Sequence, residues 1–395
     1  MINNNLMQYR CYADRQKGLA IITVMLVVAL MVVLLSFLTE RQHLLIRRIA
    51  NQNVAEKGYQ YALGVSAWGQ RVLHEDQNRA VDYLDEDWAK FGREPEIGDD
   101  EYQEFSLDSS LQEDEPELPT VDFGSDVELE YKIIDLQSRY NLNNLANTGD
   151  DITREQKLIF LNLLTVAGIE ESDTRVKLYN ALRDWLDEDS SSVGEATESP
   201  HYGSKDVSYY AADQRLVSLA ELSFVEGYTK EIINQLRPHV TVLPVDYARL
   251  NINTASADVL SSLSPNPVVD TAPVVAYLAQ REDIDFQGFQ VVTDAETAII
   301  GVSPLRNQPI KNMMQTNSQY FQLTTKVLLG DYEFCMRSLL LRENVDPENT
   351  ASSGNAVRVI GRQHDKSALC DDDHANGVSD SSLDEVDVEN VFDET

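Results

Sequence analysis

Residues 19–38, LAIITVMLVVALMVVLLSFL, form an uncharged run of twenty residues, and no other feature of the chain limits its fold as much. Twenty helical residues at about 1.5 Å each span roughly 30 Å, the thickness of a bilayer's hydrocarbon core. No proline interrupts the chain from Thr39 to Leu73, where Val54, Tyr61, Val65, Trp68 and Val72 recur at helical spacing. This predicts a single long helix, apolar in its first half and amphipathic in its second. The Tyr and Trp stripe is read as packing against a sheet. Arg10, Arg15 and Lys17 precede the run with one acid, Asp14, which keeps that end cytoplasmic and sends the rest outward.

A secretory signal has a short apolar core and a small-residue cleavage site. Here the run is long and leaves through SFLTERQ. Two readings stay open: an uncut signal anchor, or a cut between Gly18 and Leu19 that keeps the apolar helix on the mature protein. The second resembles a type IV prepilin signal, with a charged leader, Gly at −1, an apolar residue at +1 and a continuous hydrophobic helix. Thr23 is then the fifth mature residue, where most pilin-like subunits carry Glu. A carboxylate at the bilayer centre costs roughly 2.5 to 3.5 kcal/mol on insertion scales. A threonine hydroxyl that bonds back to the helix costs little, so Thr23 suits a subunit with no neighbour ahead of it in a fibre.

Asp plus Glu number 66 against 32 Lys plus Arg, a formal net charge of −34. Such a field repels phosphate backbones and disfavours nucleic-acid binding. The acidic, proline-broken stretch 93–119 reads as a surface loop, and the tail 371–395, with ten acids and no Lys or Arg, as disordered. DVELEYKIIDL (126–136) and QYFQLTTKVLL alternate as strands; a Gly330-Asp331 turn then leads into YEFCMRSLLLR, and AVRVIGRQ (356–363) is a further short strand. Between about 139 and 316 the pattern is helical. Asn141-Leu142-Asn143-Asn144-Leu145 and Asn251-Ile252-Asn253-Thr254-Ala255 look alike and stand before helical stretches. They predict a repeated helical unit whose Asn and Thr oxygens cap free amides.

Five stretches in order, KG-LAIITVMLVVALM with its non-acidic fifth residue, YNLNNL, DWLDED, LNINTASADVL and SQYFQLTTKVLLGD, resemble the minor pseudopilin K family of type II secretion (general secretion pathway protein K). The resemblance covers nearly all of the chain up to about residue 365. It implies an α+β fold in which a pilin-like long N-terminal helix packs on an antiparallel sheet, with a large inserted all-helical domain of two small units like SAM or helix-hairpin-helix domains. The expected organisation is a leader (1–18), a transmembrane part of the helix (19–38), a first part of the pilin-like domain (39–138), the insertion (139–316), the C-terminal strands (317–366) and an acidic tail (367–395). The resemblance further implies cleavage after Gly18 by the prepilin peptidase, methylation of Leu19, residence in the inner membrane with the bulk periplasmic, and a tip complex with minor pseudopilins I and J. A bulky insertion also blocks helical stacking of identical subunits, which places it at a fibre's end.

The loop DWLDEDSSSVGEATESPHYG (184–203) clusters hard oxygen ligands of the kind calcium takes. With Asp187 at position 1 of an EF-hand, Asp189, Ser191, Glu195 and Glu198 fall at ligand positions, but position 6 is Ser192 rather than Gly. The family resemblance implies structural calcium here and adds Asp213, where the family often has a polar ligand. Family loops commonly run Gly-Ala-Glu-Asp where this chain has Gly194-Glu195-Ala196-Thr197-Glu198. The alternative is a solvated acidic loop. LNINTASADVLSSL also resembles the first helix of a DNA-gripping helix-hairpin-helix, yet SPNPVV lacks the glycines that bring amides to phosphate, and no nucleic-acid partner is expected. Cys335 and Cys370 face an oxidising periplasm in this reading, and a bridge closing about 36 residues contributes roughly 3 to 4 kcal/mol in the chain-entropy model. The alternative is one buried thiol and one in the tail. No catalytic motif is present, so an enzyme is not expected. The competing functional readings are an uncut membrane-anchored periplasmic calcium-binding module and an anchored DNA receptor.

Overall fold

The computed structural model describes residues 16–76, 78–92, 127–146, 150–187, 199–204, 208–264, 271–283, 286–293, 295, 312–330, 332–343 and 357–365. The acidic stretch 93–119 and the tail beyond residue 365 lie outside them. The chain divides into two units, Met1–Gln60 and Tyr61–Thr395.

The described residues of the first unit belong to the helix α1 (Gln16–Glu75), whose last turns fall in the second unit. From Ile21 onward the helix is long and apolar enough to cross a membrane, and its apolar side chains from Ile21 to Ile49 are exposed. Gly18, Leu19 and Thr23 all fall within the helix. At the end of the apolar run the Thr39 hydroxyl donates to the Leu35 carbonyl at 2.8 Å, so this polar side chain satisfies itself along the helix.

In the second unit the last turns of α1 meet the short helix α2 (Asp87–Lys90) and a four-stranded antiparallel sheet. Its strands are β1 (Val127–Asp135), β6 (Tyr320–Leu329), β7 (Tyr332–Arg342) and β8 (Val357–Asp365), in that spatial order. β1 pairs with β6 from Val127↔Leu329 to Asp135↔Phe321. One sheet face presents Ile133, Phe321, Leu323 and Leu340 to Val65, Leu73, Trp88 and Phe91. The buried line of α1 differs from the aromatic stripe expected from spacing. Gly58, Ala62, Val65, Ser66, Gly69 and Leu73 are the buried positions, whereas Trp68 remains 42% exposed and lies edge-on to Phe91 at 5.0 Å. Small residues face the sheet because the helix approaches closely: a Cβ on Gly69 would stand 3.0 Å from the Leu323 side chain. Gly92, at φ +80°, admits no side chain at all, since a Cβ there would meet the Tyr131 carbonyl.

The chain between β1 and β6 is helical, in the order β2 (Tyr140–Asn141), a 3₁₀ turn (Leu142–Ala146), α3 (Asp150–Val166), α4 (Ser172–Leu186), α5 (Ser199–Gly203), α6 (Lys230–Leu236), β3 (Val240–Thr241), β4 (Leu250–Asn251), α7 (Ala257–Ser261), α8 (Ala272–Leu278) and β5 (Met314–Gln315). The amphipathic faces of these helices converge on one continuous cluster running from Tyr140 to Met314. The two units read from the Asn motifs therefore share a single core. A smaller cluster of Leu136, Leu243, Ala248 and Tyr320, with Leu339 and Leu341 against it, joins this block to the other face of the sheet.

Candidate functional site

The repeated Asn motifs organise the helical block. Each follows a two-residue parallel bridge, β2 with β3 and β4 with β5. Asn141 Oδ1 accepts from the Asn143 amide at 3.3 Å, and Asn251 Oδ1 accepts from the Asn253 amide at 3.0 Å. The second Asn of each motif then grips a distant peptide with both ends of its amide. Asn143 Oδ1 accepts from Leu216 N at 2.9 Å while its Nδ2 donates to Leu216 O at 3.0 Å and Leu243 O at 2.9 Å. Asn253 treats Phe289 the same way, at 2.6 and 3.2 Å, and reaches Thr316 O at 3.1 Å. An arginine completes each frame. Arg183 donates to the Leu145 carbonyl, and Arg281 donates to the Ala255 carbonyl at 2.9 Å and to Ile252. The asparagines thus do more than the helix capping expected of them. They bind segments remote in sequence, and the N-cap of α7 is Ser256, whose hydroxyl accepts from Val259 N.

The expected metal loop begins where α4 ends. Asp187 is the C-cap of α4, is buried, and has one carboxylate oxygen 3.6 Å from Arg183 Nε. Asp189, Glu195 and Glu198 lie outside the described residues. Asp213 is exposed and holds a left-handed backbone at φ +47°, a conformation that Asp tolerates better than most residues. An aromatic cluster pins both ends of this loop. Trp185 lies edge-on to Tyr202 at 5.3 Å, and Tyr202 stacks on Tyr209 at 5.1 Å. The Tyr209 hydroxyl donates to the Phe224 carbonyl at 2.9 Å, and His201 Nε2 stands 3.2 Å from Glu226. The chain leaves the cluster at Trp185 and returns to it at Tyr202, so one aromatic cluster holds the described residues on either side of the acidic segment.

A second carboxylate group, which motif spacing did not reveal, lies where the helical block meets the sheet. Arg342, 1% exposed at the end of β7, donates through Nη1 to Asp76 at 2.6 Å and through Nη2 to Asp82 at 2.5 Å. The carboxylates of Asp76, Asp82 and Glu86 come within 4.8 Å of one another. The Arg342 guanidinium supplies the positive charge that this arrangement needs. Asp82 also accepts from Ser318 N at 2.6 Å, and the Ser318 hydroxyl donates to Asp135 at 2.6 Å. Asp135 accepts further bonds from Thr254, Asn251 and Gln137 N, so three segments of the fold meet on one buried carboxylate. Burial pushes Asp82 up to about 7 against the pull of the Arg342 charge, and pushes Glu86 up to about 7 against hydrogen bonds from Trp88 and Tyr83. Burial likewise raises Asp135, opposed by its hydrogen bonds from Ser318 and Thr254. Burial works against the Arg342 charge, but Asp82 and Asp76 outweigh it and hold its proton more tightly than usual. The signal available in sequence was slight: an acid closing the apolar strand β1 and an arginine closing β7.

On β7, Cys335 is fully buried and carries a disulfide. Cys370 lies outside the described residues.

Comparison with known proteins places these features in a group. Residues 138–245, the segment from the first Asn motif to the β3 strand and just beyond, match the family profile described as type II secretion system (T2SS), protein K. The type II secretion system protein K of Pseudomonas aeruginosa is 30% identical over 336 residues, covering 83% of this chain and 89% of that protein. The protein of the same name from Pectobacterium carotovorum is 26% identical over 361 residues, covering 89% of this chain and 97% of that protein. Among solved structures, a chain of the GspK-GspI-GspJ complex from the enterotoxigenic Escherichia coli type 2 secretion system shares the fold, with a TM-score of 0.62 at 20% identity. The match covers 81% of this chain and 100% of that one.

Proposed function

Because the chain belongs to the type II secretion system protein K family, we propose that it is a minor pseudopilin capping the tip of the secretion pseudopilus. In that role it nucleates fibre assembly and supports export of folded proteins across the outer membrane. The observation that carries this reading is a long apolar-to-amphipathic helix joined in one chain to a sheet whose first two strands are separated by a large helical block. In this reading the bulk of such a block would hinder an identical subunit stacked ahead, and Thr23 lacks the charge that pairing with such a neighbour uses. The similar Escherichia coli chain was solved with GspI and GspJ, and the corresponding partners here are minor pseudopilins I and J of the same system.

Maturation in this reading cuts Gly18 from Leu19 by the prepilin peptidase and methylates the new amine, leaving a single-pass protein in the inner membrane with its bulk in the periplasm. The acidic loop holds structural calcium through Asp187, Asp189, Glu195 and Glu198, with Asp213, from the segment after it, as a further ligand. The aromatic contact of Trp185 with Tyr202 supports this, because it brings together the two ends of a segment whose carboxylates calcium would screen from one another. Cys335 pairs with Cys370 and ties the start of the acidic tail to β7.

The deciding experiment is the intact mass and N-terminal sequence of the membrane-extracted protein from cells with and without the prepilin peptidase. A start at methylated Leu19 that requires the peptidase is the expected result. A start at Met1 in both strains replaces this reading with an uncut, membrane-anchored periplasmic module.

A further inference from the structure

Three arginines stand within eight residues just beyond the apolar run of α1, at positions 41, 47 and 48. They are exposed on a continuous helix. Among the described residues none of the three has an acidic partner, although the chain carries 66 acids. Elsewhere in the fold several arginines take carboxylates: Arg71 with Glu75 at 2.6 Å, Arg215 with Asp246 at 2.8 Å, and Arg342 with Asp76 and Asp82. Unpaired cations on the outward side of a membrane span also run against the charge asymmetry that orients such helices. The leader cations Arg10, Arg15 and Lys17 would oppose them, but these are lost if the chain is cut after Gly18.

Position along the helix suggests the counter-ion. At about 1.5 Å per residue, Arg41 lies roughly 4 to 5 Å past Leu38, and Arg48 roughly 15 Å past it. The headgroup layer occupies roughly 5 to 7 Å on each side of the hydrocarbon. Arginine stems extend toward phosphate from either direction, and ordinary tilting of a spanning helix shortens the vertical distance. Leu44, Leu45, Ile46 and Ile49, each more than half exposed, favour the same shift, because drawing them toward the interface removes apolar surface from water. Leu38, Leu45 and Ile49 share one helix face, Arg41 and Arg48 border it on one side, and Arg47 points to the opposite side of the helix, so the three cations reach phosphates around it.

We propose that Arg41, Arg47 and Arg48 bind the phosphate groups of anionic phospholipids in the leaflet where α1 leaves the bilayer. This rests on the reading of α1 as a membrane anchor. The contact sets the depth of the helix at its outward end, a role that no acidic side chain on the helix could serve.

The test uses the full chain reconstituted into bilayers of equal parts phosphatidylglycerol and phosphatidylcholine. It is extracted in mild detergent, and the retained lipids are counted by native mass spectrometry. The wild-type chain should retain phosphatidylglycerol preferentially, and each arginine replaced by glutamine should lower that preference about five-fold. The R41Q/R47Q/R48Q chain should approach parity, and high salt should do the same to the wild type. Resistance to alkaline carbonate extraction, measured on the same samples, reports anchoring separately. A triple variant that stays anchored and keeps the wild-type lipid preference overturns the proposal and leaves the anchor intact. A wild-type chain released by carbonate overturns both. A wild type with no lipid preference that cross-links through these positions to an acidic helix overturns it in favour of a protein partner.

Discussion

Arg342 shows how much one residue can hold. It is buried with two carboxylates, and removing a single partner from such a group leaves an uncompensated charge, typically at a cost of about 3 to 5 kcal/mol. Arg342→Met should therefore lower stability by that order in chemical denaturation, whereas the double variant Arg342→Met/Asp82→Asn should lose less than the two single changes added together. Glu86 supports a pH prediction. Its carboxyl is pushed from its ordinary 4.5 up to about 7, so the folded state binds a proton that the unfolded state releases. Its contribution is most favourable below about pH 4.5, falls as pH rises toward 7, and is level above that. Glu86→Gln keeps the acceptor for Trp88 and Tyr83 and should flatten the dependence of the melting temperature on pH between these limits. A slope unchanged from wild type would show that Glu86 titrates normally. These residues were hard to read in sequence because a charged residue at a strand end is ordinary. Only the fold brings Asp76, Asp82, Asp135, Ser318 and Arg342 to one place.

At the scale of elements, the long helix and the four main strands were legible from an uninterrupted apolar run, from alternation in β1 and β6, and from the Gly330-Asp331 turn that leads into β7, with β8 a short strand after it. The helix face was less so. A search for large apolar residues finds Tyr61, Val65, Trp68 and Val72, of which Val65 and Val72 do pack on the sheet's cluster, but it passes over Ala62, Ser66 and Gly69, which are buried because distance between backbones sets what fits. Gly69→Leu should push α1 off Leu323 and Ile133 and destabilise by about 1 to 3 kcal/mol, while Gly69→Ala, at the limit of contact, should cost less. Equilibrium unfolding of the two variants side by side measures the difference, and equal stabilities would show that the helix moves freely over the sheet. The Asn motifs were visible as a repeat, but their work was not. Asn143 meets partners 73 and 100 residues away, and nothing local separates an asparagine that caps a helix from one that clamps a distant peptide.

For the molecule as a whole, the order of elements along the chain was readable from changes of period, and the sharing of one core by both helical repeats was not. Periodicity says that a helix buries a face, never against which neighbour. The shared core carries a consequence for calcium removal. If the acidic loop holds the ion, chelation should lower the melting temperature of the entire helical block in one transition, because the loop's base, Trp185 and Tyr202, belongs to the cluster that runs from Tyr140 to Met314. Calorimetry of the full chain with calcium and with a chelator tests this. A separate low-temperature transition would mean that the loop melts alone, and no shift would mean that it binds no ion.

The pairing of β1 with β6 also bears on how the chain assembles. These strands are neighbours in the sheet, yet the entire helical block lies between them in sequence, so their meeting early in folding would require closing a very long loop. If the block folds first, its entry and exit are fixed side by side by the Asp135, Asn251 and Ser318 bonds, and the two strands then close as if joined by a short hairpin turn. The block is then a template for the sheet during synthesis. A defect at its base, such as Asn251→Ala, would slow the arrival of the sheet more than it hastens its loss.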